Sequence, residues 1–249
     1  MLPAESPRPR GSARLALALV ALLATCPSRA TAASKVKIAA AGDPAPGGGT
    51  FAGPGFSGWP SAAGNGWIAF RGVIAGGNAS EAIIARHETP PVATVTAASK
   101  GQSAPGGGTF RQFLGRPAVN ASGDVAFLAL VNDATVPDDP SLPTPAGVFV
   151  YSAATGKLTA VARSRQPTVL GVLDIATTLD PNADPSAVDL PDRTPALNDH
   201  GQVAFLTALA GTTSGTPDGA IFMSGPAGGR PRGSNRGATR FGARCRARG

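Results

Sequence analysis

Internal repetition is the dominant feature of this chain. Residues 42–51 return as residues 101–110, and both copies contain the heptapeptide Ala-Pro-Gly-Gly-Gly-Thr-Phe. A second motif occurs at residues 117–127 and 195–205, with a degraded copy at 60–70. In each copy a proline lies ten positions before a phenylalanine and a glycine lies four positions before it. Repetition of this kind predicts a tandem array in which each unit buries its apolar surface against its neighbours.

The second motif predicts a tight turn followed by a buried strand. An asparagine side chain can accept a hydrogen bond from the backbone two residues on, and glycine adopts the positive φ that closes a turn. Residues 125–131 then form an unbroken apolar run, and residues 203–209 do the same apart from one threonine. A strand that is apolar on both faces is covered on both, so we expect each sheet to be stacked between neighbouring sheets. The residues assigned to this structural motif are Asn120, Gly123, Phe127, Asn198, Gly201, Phe205, Gly66 and Phe70.

The predicted fold is all-β and propeller-like, with tandem four-stranded units in an incomplete or open array and with disordered termini. The chain contains 33 Gly and 24 Pro, and these residues disfavour long helices. The repeat domain spans residues 33–224, with units at about 35–100, 101–164 and 165–224.

A fourth strand is expected in the first two units, at residues 92–96 and 158–162. No such strand is expected in the third unit. Residues 35–39 have the same position relative to the first Gly-rich motif, with no unit in front of them. We therefore expect residues 35–39 to complete the last sheet, as the closing strand of a propeller does. Propellers commonly have about four to eight blades, so three units predict an incomplete chain, an association of chains or an open array.

The Asn-x-x-Gly-x-x-Ala-Phe pattern is similar to that of a group of secreted bacterial tandem-repeat proteins defined by this repeat, many of which end in a surface-sorting anchor. The resemblance rests on residues 120–127 and 198–205, with 63–70 as a degenerate copy, and covers roughly residues 35–224. It implies an exported repeat protein and brings no catalytic residues, because no biochemical activity is assigned to the group. The present sequence differs in carrying a basic tail where the group has an apolar anchor.

The N-terminus predicts a secretory signal peptide at residues 1–32. Arginines precede an apolar run from Leu15 to Cys26, and small residues precede a cleavage site after Ala32. The alternative is that Cys26 is lipidated. The apolar run is too short for a helix that spans a bilayer, which needs about twenty residues. We expect the protein to be secreted or to lie at the cell surface or in the periplasm, with a repeat domain that contains no cysteine and therefore no disulfide.

The positive charge of the chain is concentrated in its tail. The formal net charge is +7, yet residues 225–249 hold seven arginines and no acid, and residues 33–224 hold eleven basic and fourteen acidic residues. A mildly acidic body does not predict nucleic-acid binding. The tail is either a basic disordered segment that binds an anionic partner or a frameshift product of a GC-rich gene. We favour the frameshift, because the change falls inside a repeat that depends on its neighbours for burial.

Few residues are candidates for catalysis or metal binding. His87 and His200 are the only histidines, and we expect both to be turn or loop residues rather than a catalytic pair. The Gly-rich motifs lack the lysine of a phosphate-binding loop and are interpreted as turns. Asp180, Asn182 and Asp184 place oxygen ligands at alternate positions, as calcium loops do, but prolines stand where such a loop needs glycine and glutamate. No catalytic residue, cofactor or metal is assigned.

The predicted function is that of an exported, non-catalytic interaction or surface protein. Its partner would be extracellular or on the cell surface, self-association is a further option, and membrane contact would occur only through the signal or a lost anchor. The alternative is a hydrolase or lyase on a propeller-like scaffold, with its chemistry in the long loops at residues 132–146 and 165–194. An enzyme requires an acid, base or metal cluster in one cleft, whereas a binding module requires an exposed surface without such a cluster.

Overall fold

The structure is a computed structural model that describes residues 35–56, 59–135, 144–168, 171–175, 194–210 and 218–225. Within these residues the fold is all-β, as predicted, and every pairing of neighbouring strands is antiparallel. The strands form three sheets, none of which closes on itself. No helix in the described ranges is long and apolar enough to cross a membrane.

Sheet 1 has the strand order β1-β3-β4-β5, and a short strand, β2, pairs with β3. A single 3-10 turn, Gly64–Gly66, separates β2 from β3. The predicted fourth strand is confirmed as β5. The strands are β1 (Thr50–Phe56), β2 (Ser61–Ala62), β3 (Trp67–Ala75), β4 (Glu81–His87) and β5 (Ala93–Ser99).

Sheet 2 is a four-stranded meander with the order β6-β7-β8-β9. Its fourth strand, β9, confirms the strand predicted at residues 158–162. The strands are β6 (Thr109–Val119), β7 (Val125–Asn132), β8 (Ala146–Ser152) and β9 (Lys157–Arg163).

Sheet 3 has the order β10-β11-β13-β12, and β14 also pairs with β13. Among the described residues, nothing pairs with the other edge of β14. The strands are β10 (Pro167–Thr168), β11 (Gly171–Asp174), β12 (Ala196–Leu197), β13 (Val203–Ala210) and β14 (Asp218–Ser224).

The three sheets pack face to face in chain order. Successive side chains of a strand point to opposite faces, so each sheet has a front face, which carries the motif phenylalanine (Phe70, Phe127 or Phe205), and a back face. In β7 the front-face side chains belong to one apolar core and the back-face side chains to another. The back face of sheet 1 packs on the front face of sheet 2, and the back face of sheet 2 packs on the front face of sheet 3.

The prediction that β7 is covered on both faces is confirmed, because residues 125–131 are all buried. The same prediction for β13 holds for one face only. Val203 and Phe205 are buried against sheet 2, whereas Leu206, on the back face of sheet 3, is 48% exposed. The reason is positional: sheet 2 lies between two sheets, whereas sheet 3 has a neighbouring sheet on one side only within the described part of the chain.

The prediction that residues 35–39 form a strand is wrong. Residues 35–40 have no regular secondary structure and pair with no sheet. Ile38 and Ala39 instead pack on the apolar cluster at the front face of sheet 1. Residues 35–39 therefore do not form a closing strand within the chain.

Candidate interaction surface

The two complete motif copies fold as matched turns, here called the Asn turns (residues 120–124 and 198–202). In the first, Asn120 Oδ1 accepts hydrogen bonds from the backbone N–H groups of Ser122 at 3.0 Å and Asp124 at 2.9 Å. Gly123 has a φ of 83° and donates its N–H to the Asn120 carbonyl. This positive φ is the reason for glycine at the fourth position.

The second Asn turn repeats these contacts. Asn198 Oδ1 accepts from the backbone N–H groups of His200 and Gln202, both at 3.0 Å, and Gly201 has a φ of 71°. The degraded copy has alanine at the asparagine position, and the chain there makes a 3-10 turn in which Gly66 keeps a positive φ of 79°. The predicted strand-to-strand turn is thus confirmed in both complete copies.

The turns are also hydrogen-bonded to one another across the sheets. Asn120 Nδ2 donates to the Asn198 carbonyl at 3.1 Å, and the Ala121 N–H donates to Asp199 Oδ1 at 2.8 Å. Asn65 Nδ2 donates to the Ala121 carbonyl at 3.4 Å. The result is a polar ladder along one edge of the stacked sheets. Sequence reasoning assigned Asn120 only a role within its own turn and missed Asp199, because the partners lie 78 residues apart.

The Gly-rich motifs form turns, as predicted. In both copies the first glycine donates its N–H to the phenylalanine carbonyl at 2.8 Å, Gly42 to Phe51 and Gly101 to Phe110. In the second copy Arg163 Nη1 also donates to the carbonyls of Pro105 at 2.7 Å and Gly107 at 3.2 Å. The guanidinium thus fastens the second loop to the end of β9.

Sheet 1 has a small cavity beside its Gly-rich loop. Ser99 has the same position at the end of β5 that Arg163 has at the end of β9, since Ser99 pairs with Ala82 and Arg163 pairs with Gly147. Sheet 1 therefore has no guanidinium in the space beside its Gly-rich loop. The cavity measures about 210 Å³ and includes Gly48 and Ser99 in its lining. Ligand pockets usually measure about 300–1,000 Å³, so the cavity is small for a ligand site.

Asp133 lies beside Arg163, with 3.8 Å between its Oδ2 and Arg163 Nη2. The Thr135 hydroxyl donates to Asp133 Oδ1 at 2.6 Å, and the Thr135 N–H donates to the same oxygen at 3.1 Å. These hydrogen bonds, with smaller contributions from Arg163 and Arg165, hold the pKa of Asp133 below its ordinary value. Burial lowers the pKa of Arg163, and the Asp133 carboxylate opposes that shift.

The pKa of Asp133 provides a first prediction. Replacing Thr135 by valine removes the hydroxyl donor, which is the largest cause of the shift, and we expect the pKa of Asp133 to rise toward its ordinary value. A lowered pKa stabilises the fold above the unfolded-state pKa, and this stabilisation is lost as the pH falls through the folded-state value. Carboxyl carbon chemical shifts in an acid titration would measure the change. Thr159→Val is the control, and an unchanged Asp133 titration in Thr135→Val would contradict the assignment.

One histidine lies in a strand of sheet 1 and the other in the turn that precedes β13 of sheet 3. The prediction that His87 lies in a turn or loop is wrong, because His87 is the last residue of β4 in sheet 1 and its ring packs on Trp67 with 4.8 Å between ring centroids. His200 is exposed in the second Asn turn, which leads into sheet 3. Sequence reasoning missed one buried ion pair, between Arg71 and Glu81 in sheet 1. The two charged groups pair with each other, because a buried charge without a partner would be strongly destabilising.

The residues named for metal binding lie outside the described ranges. Asp180, Asn182 and Asp184 fall in the segment 176–193, of which the structure describes nothing. Within the described part of the chain, no group of three or more histidine, cysteine, aspartate or glutamate side chains is placed to hold a metal ion. Parts of the loops at 132–146 and 165–194 also fall outside the described residues.

The back face of sheet 3 is the clearest candidate site, and we call it the outer face (Ala204, Leu206, Ile221 and Met223). Leu206 pairs with Ile221 and Ala204 with Met223 across β13 and β14, so the four side chains share one face. The exposed fractions are 48% for Leu206, 79% for Ile221 and 69% for Met223. A cluster of large apolar side chains left in water commonly marks an interaction site.

The same positions of sheet 2 are buried. When the motif phenylalanines Phe127 and Phe205 are aligned, Leu206 corresponds to Leu128, which is buried against sheet 3. Aligning Phe149 with Phe222 in the same way makes Ile221 and Met223 correspond to two valines of β8 that are also buried against sheet 3. The outer face therefore has the composition of a sheet-packing surface, and no sheet formed by the described residues covers it.

Comparison with known proteins identifies a family. No curated protein and no solved structure shows significant similarity to this chain. Residues 30–229 match DUF7453, a family of unknown function. The match includes all three sheets and covers about four fifths of the sequence, so the chain belongs to the DUF7453 family.

Proposed function

We propose that this chain is an exported, non-catalytic β-repeat protein that acts by binding another protein through its outer face. The observation that carries the proposal is the contrast between sheets 2 and 3. Matched apolar positions are buried in sheet 2 and exposed in sheet 3. Burying such side chains is favourable by about 25 cal/mol for each Å² removed from water. A partner that covers the outer face would gain this energy.

The proposed architecture is a propeller-like array of tandem units. Two features support it. The front face of one sheet packs on the back face of the sheet before it, twice in the same order. The ladder of hydrogen bonds also joins turns at matched positions, from Asn65 through Ala121 and Asn120 to Asn198. In repeat arrays each unit contacts its neighbours, and such surfaces commonly serve as binding scaffolds.

The proposed place of action is outside the cytoplasm, either secreted or at the cell surface or in the periplasm. The basis is the apolar run and cleavage pattern of residues 1–32, together with the similarity of residues 120–127 and 198–205 to the secreted Asn-x-x-Gly-x-x-Ala-Phe group.

Export is tested with a reporter enzyme that is active only outside the cytoplasm. We expect a fusion of residues 1–40 to that reporter to be active in a bacterial host, with cleavage after Ala32 shown by N-terminal sequencing. Leu19→Arg interrupts the apolar run and should abolish the activity. An inactive wild-type fusion, or equal activity of the two fusions, would refute export.

Binding is tested with the labelled chain, residues 33–249, on intact cells of the source bacterium. We expect saturable binding, and a reduction of at least about tenfold for the double variant Leu206→Asp/Ile221→Asp, since charged groups on the apolar face cannot be buried without a partner. Val92→Asp is the matched control, because Val92 directly precedes β5 of sheet 1 and is 54% exposed. Absence of saturable binding at a concentration where the chain is monomeric, or equal loss in the control, would count against the outer face as a binding surface.

A further inference from the structure

We propose that the partner of the outer face is a second copy of this chain, whose sheet 1 packs on it by its front face, so that two chains form a closed ring of six sheets. This inference rests on the proposed function, since it names the protein that the outer face binds. Both ends of one chain carry the surfaces that the ring requires.

The two sheet interfaces inside the chain show what the outer face accepts. In both, the buried side chains of the back face are aliphatic and the phenylalanines lie on the front face, while Trp67 lies partly buried on the back face at the first interface. Sheet 2 places Leu128 and Val148 against the front face that holds Phe205. Leu206 and Ile221 match those two residues in position and in chemistry, so the complementary surface is another front face.

The front face of sheet 1 is the one front face without a sheet on it among the described residues. Phe56 lies on this face, with ring centroids 5.3 Å from Phe51 and 5.8 Å from Phe70, and it is 38% exposed. Its exposed ring is the type of side chain that the back face of a neighbouring sheet covers in the two inner interfaces. Sheet 1 of a second copy therefore offers a matching surface.

The N-terminal segment supplies a second link between copies. Ile38 and Ala39 precede the first Gly-rich motif by the same number of residues as Ala97 and Ala98 precede the second. Ala97 and Ala98 lie in β5, the fourth strand of sheet 1, and pack against the front face of sheet 2. Ile38 and Ala39 pack on the front face of sheet 1. By position, they correspond to the fourth strand of a preceding sheet.

Sheet 3 is the sheet that lacks this strand. Its edge strand β14 has no further partner among the described residues, and an exposed edge pairs readily with an extended segment of another chain. A second copy docked by its front face would bring its own residues 35–39 alongside β14. The segment would then form, between chains, the closing strand that it does not form within one chain.

The ladder of turns also has donors for one more step. Asn120 uses its side-chain amide twice, for Asp124 and for the next Asn turn. Asn198 uses its amide for Gln202, and among the described residues it has no neighbouring turn beyond it. In the first Asn turn the Ala121 N–H donates to the following turn. The Asp199 N–H has the same position in the second Asn turn.

In the proposed ring the next turn is residues 63–66 of the second copy, where the Ala63 carbonyl would accept from the Asn198 amide, as the Asn198 carbonyl accepts from Asn120. Gly64 stands at the position of Asp199 and has no side chain to accept the second hydrogen bond.

Three sheets from each of two chains make six, within the range of about four to eight that closed propellers adopt. A front-to-back contact joins different surfaces of the two copies, and such a contact either closes into a ring or continues as a filament. In a ring of two chains both outer faces and both front faces of sheet 1 are covered, so the ring ends at the dimer.

The test is the mass of residues 33–249 in solution, by sedimentation velocity over a wide concentration range. We expect a dimer for the wild type and for the Val92→Asp control. Leu206→Asp/Ile221→Asp and Phe56→Asp should each be monomeric, with wild-type circular dichroism spectra. Mixing these two variants should restore a dimer, because one partner keeps its outer face and the other keeps its front face.

Several results would overturn the inference. These are a wild-type monomer at all concentrations, a filament, or dimerisation of Phe56→Asp alone, which would indicate outer faces packed on each other. Hydrogen exchange of the wild type gives a check that needs no variant: amides of β14 should exchange more slowly in the dimer. A monomer that still binds cells through Leu206 and Ile221 would leave the proposed function standing and refute the second copy as partner.

Discussion

Replacing Phe127 by alanine is expected to lower the free energy of unfolding by about 3–5 kcal/mol, the range for large aromatic residues truncated in a core. The side chain is fully buried at the front face of sheet 2. Its ring centroid lies 5.7 Å from that of Phe110, 5.5 Å from that of Phe113 and 5.8 Å from that of Phe149. The four packed rings restrict one another, so neighbouring side chains have little freedom to move into the cavity. We therefore expect little relaxation to offset the loss of stability.

The control is the matched phenylalanine of sheet 3. Phe205 is also buried, but among the residues that the structure describes it has one ring partner, Phe222, with 5.8 Å between centroids. Because each aromatic pair contributes about 0.5–1.5 kcal/mol beyond its buried area, Phe205→Ala should cost about 1–3 kcal/mol less than Phe127→Ala. Urea unfolding at one fixed protein concentration would measure both values, since association changes apparent stability. Equal losses in the two variants would show that contacts among the rings add no stability beyond that of burying the side chain.

Replacing Asn120 by alanine is expected to cost about 2–4 kcal/mol, because a net hydrogen bond contributes about 0.5–1.5 kcal/mol and an unpaired buried group costs more. Asn120 is buried and uses both ends of its amide. The oxygen accepts two backbone N–H groups of its own turn, and the nitrogen donates to Asp124 and across to Asn198. Its removal should loosen both the turn and the contact between sheets 2 and 3.

Asn198→Ala is the matched control for the contact between sheets. Asn198 is exposed and holds its turn with the same two accepted hydrogen bonds, but its side-chain amide reaches only Gln202 among the described residues. Water can replace these partners, so we expect a loss of about 1 kcal/mol. The difference between the variants, again from urea unfolding, reports the hydrogen bond across the sheets. If Asn198→Ala were as destabilising as Asn120→Ala, the hydrogen bond from Asn120 to the Asn198 carbonyl would contribute nothing to the free energy of unfolding.

Local features of the fold could be predicted because their causes are local. The Asn turns follow from an asparagine that bonds to its own backbone and a glycine at a positive φ, as at Gly123 and Gly201. The burial of β7 on both faces follows from an apolar run with no polar alternation. The strands at β5 and β9 follow from short segments of high β propensity at matched places in the repeats.

Features that join distant residues could not be predicted in the same way. The ladder depends on Asn120 and Asp199 meeting turns 78 residues away, and no pattern in either segment indicates its partner. The strand expected at residues 35–39 has adequate apolar content, but strand formation requires an edge to pair with, and the chain does not bring one to it. The outer face could not be predicted for a related reason. Strands β7 and β13 carry almost the same apolar pattern, so the pattern does not indicate which of the two is covered on both faces.

The amino-acid sequence alone determines that this chain forms short antiparallel strands around repeated glycine and asparagine turns, because backbone φ preferences and side-chain alternation act within a few residues. The tertiary structure decides which apolar faces are covered. Leu128 and Leu206 have the same local surroundings, and one is buried while the other is exposed. The difference arises because burial depends on whether a further sheet stands next in the stack, which is a property of the assembled array.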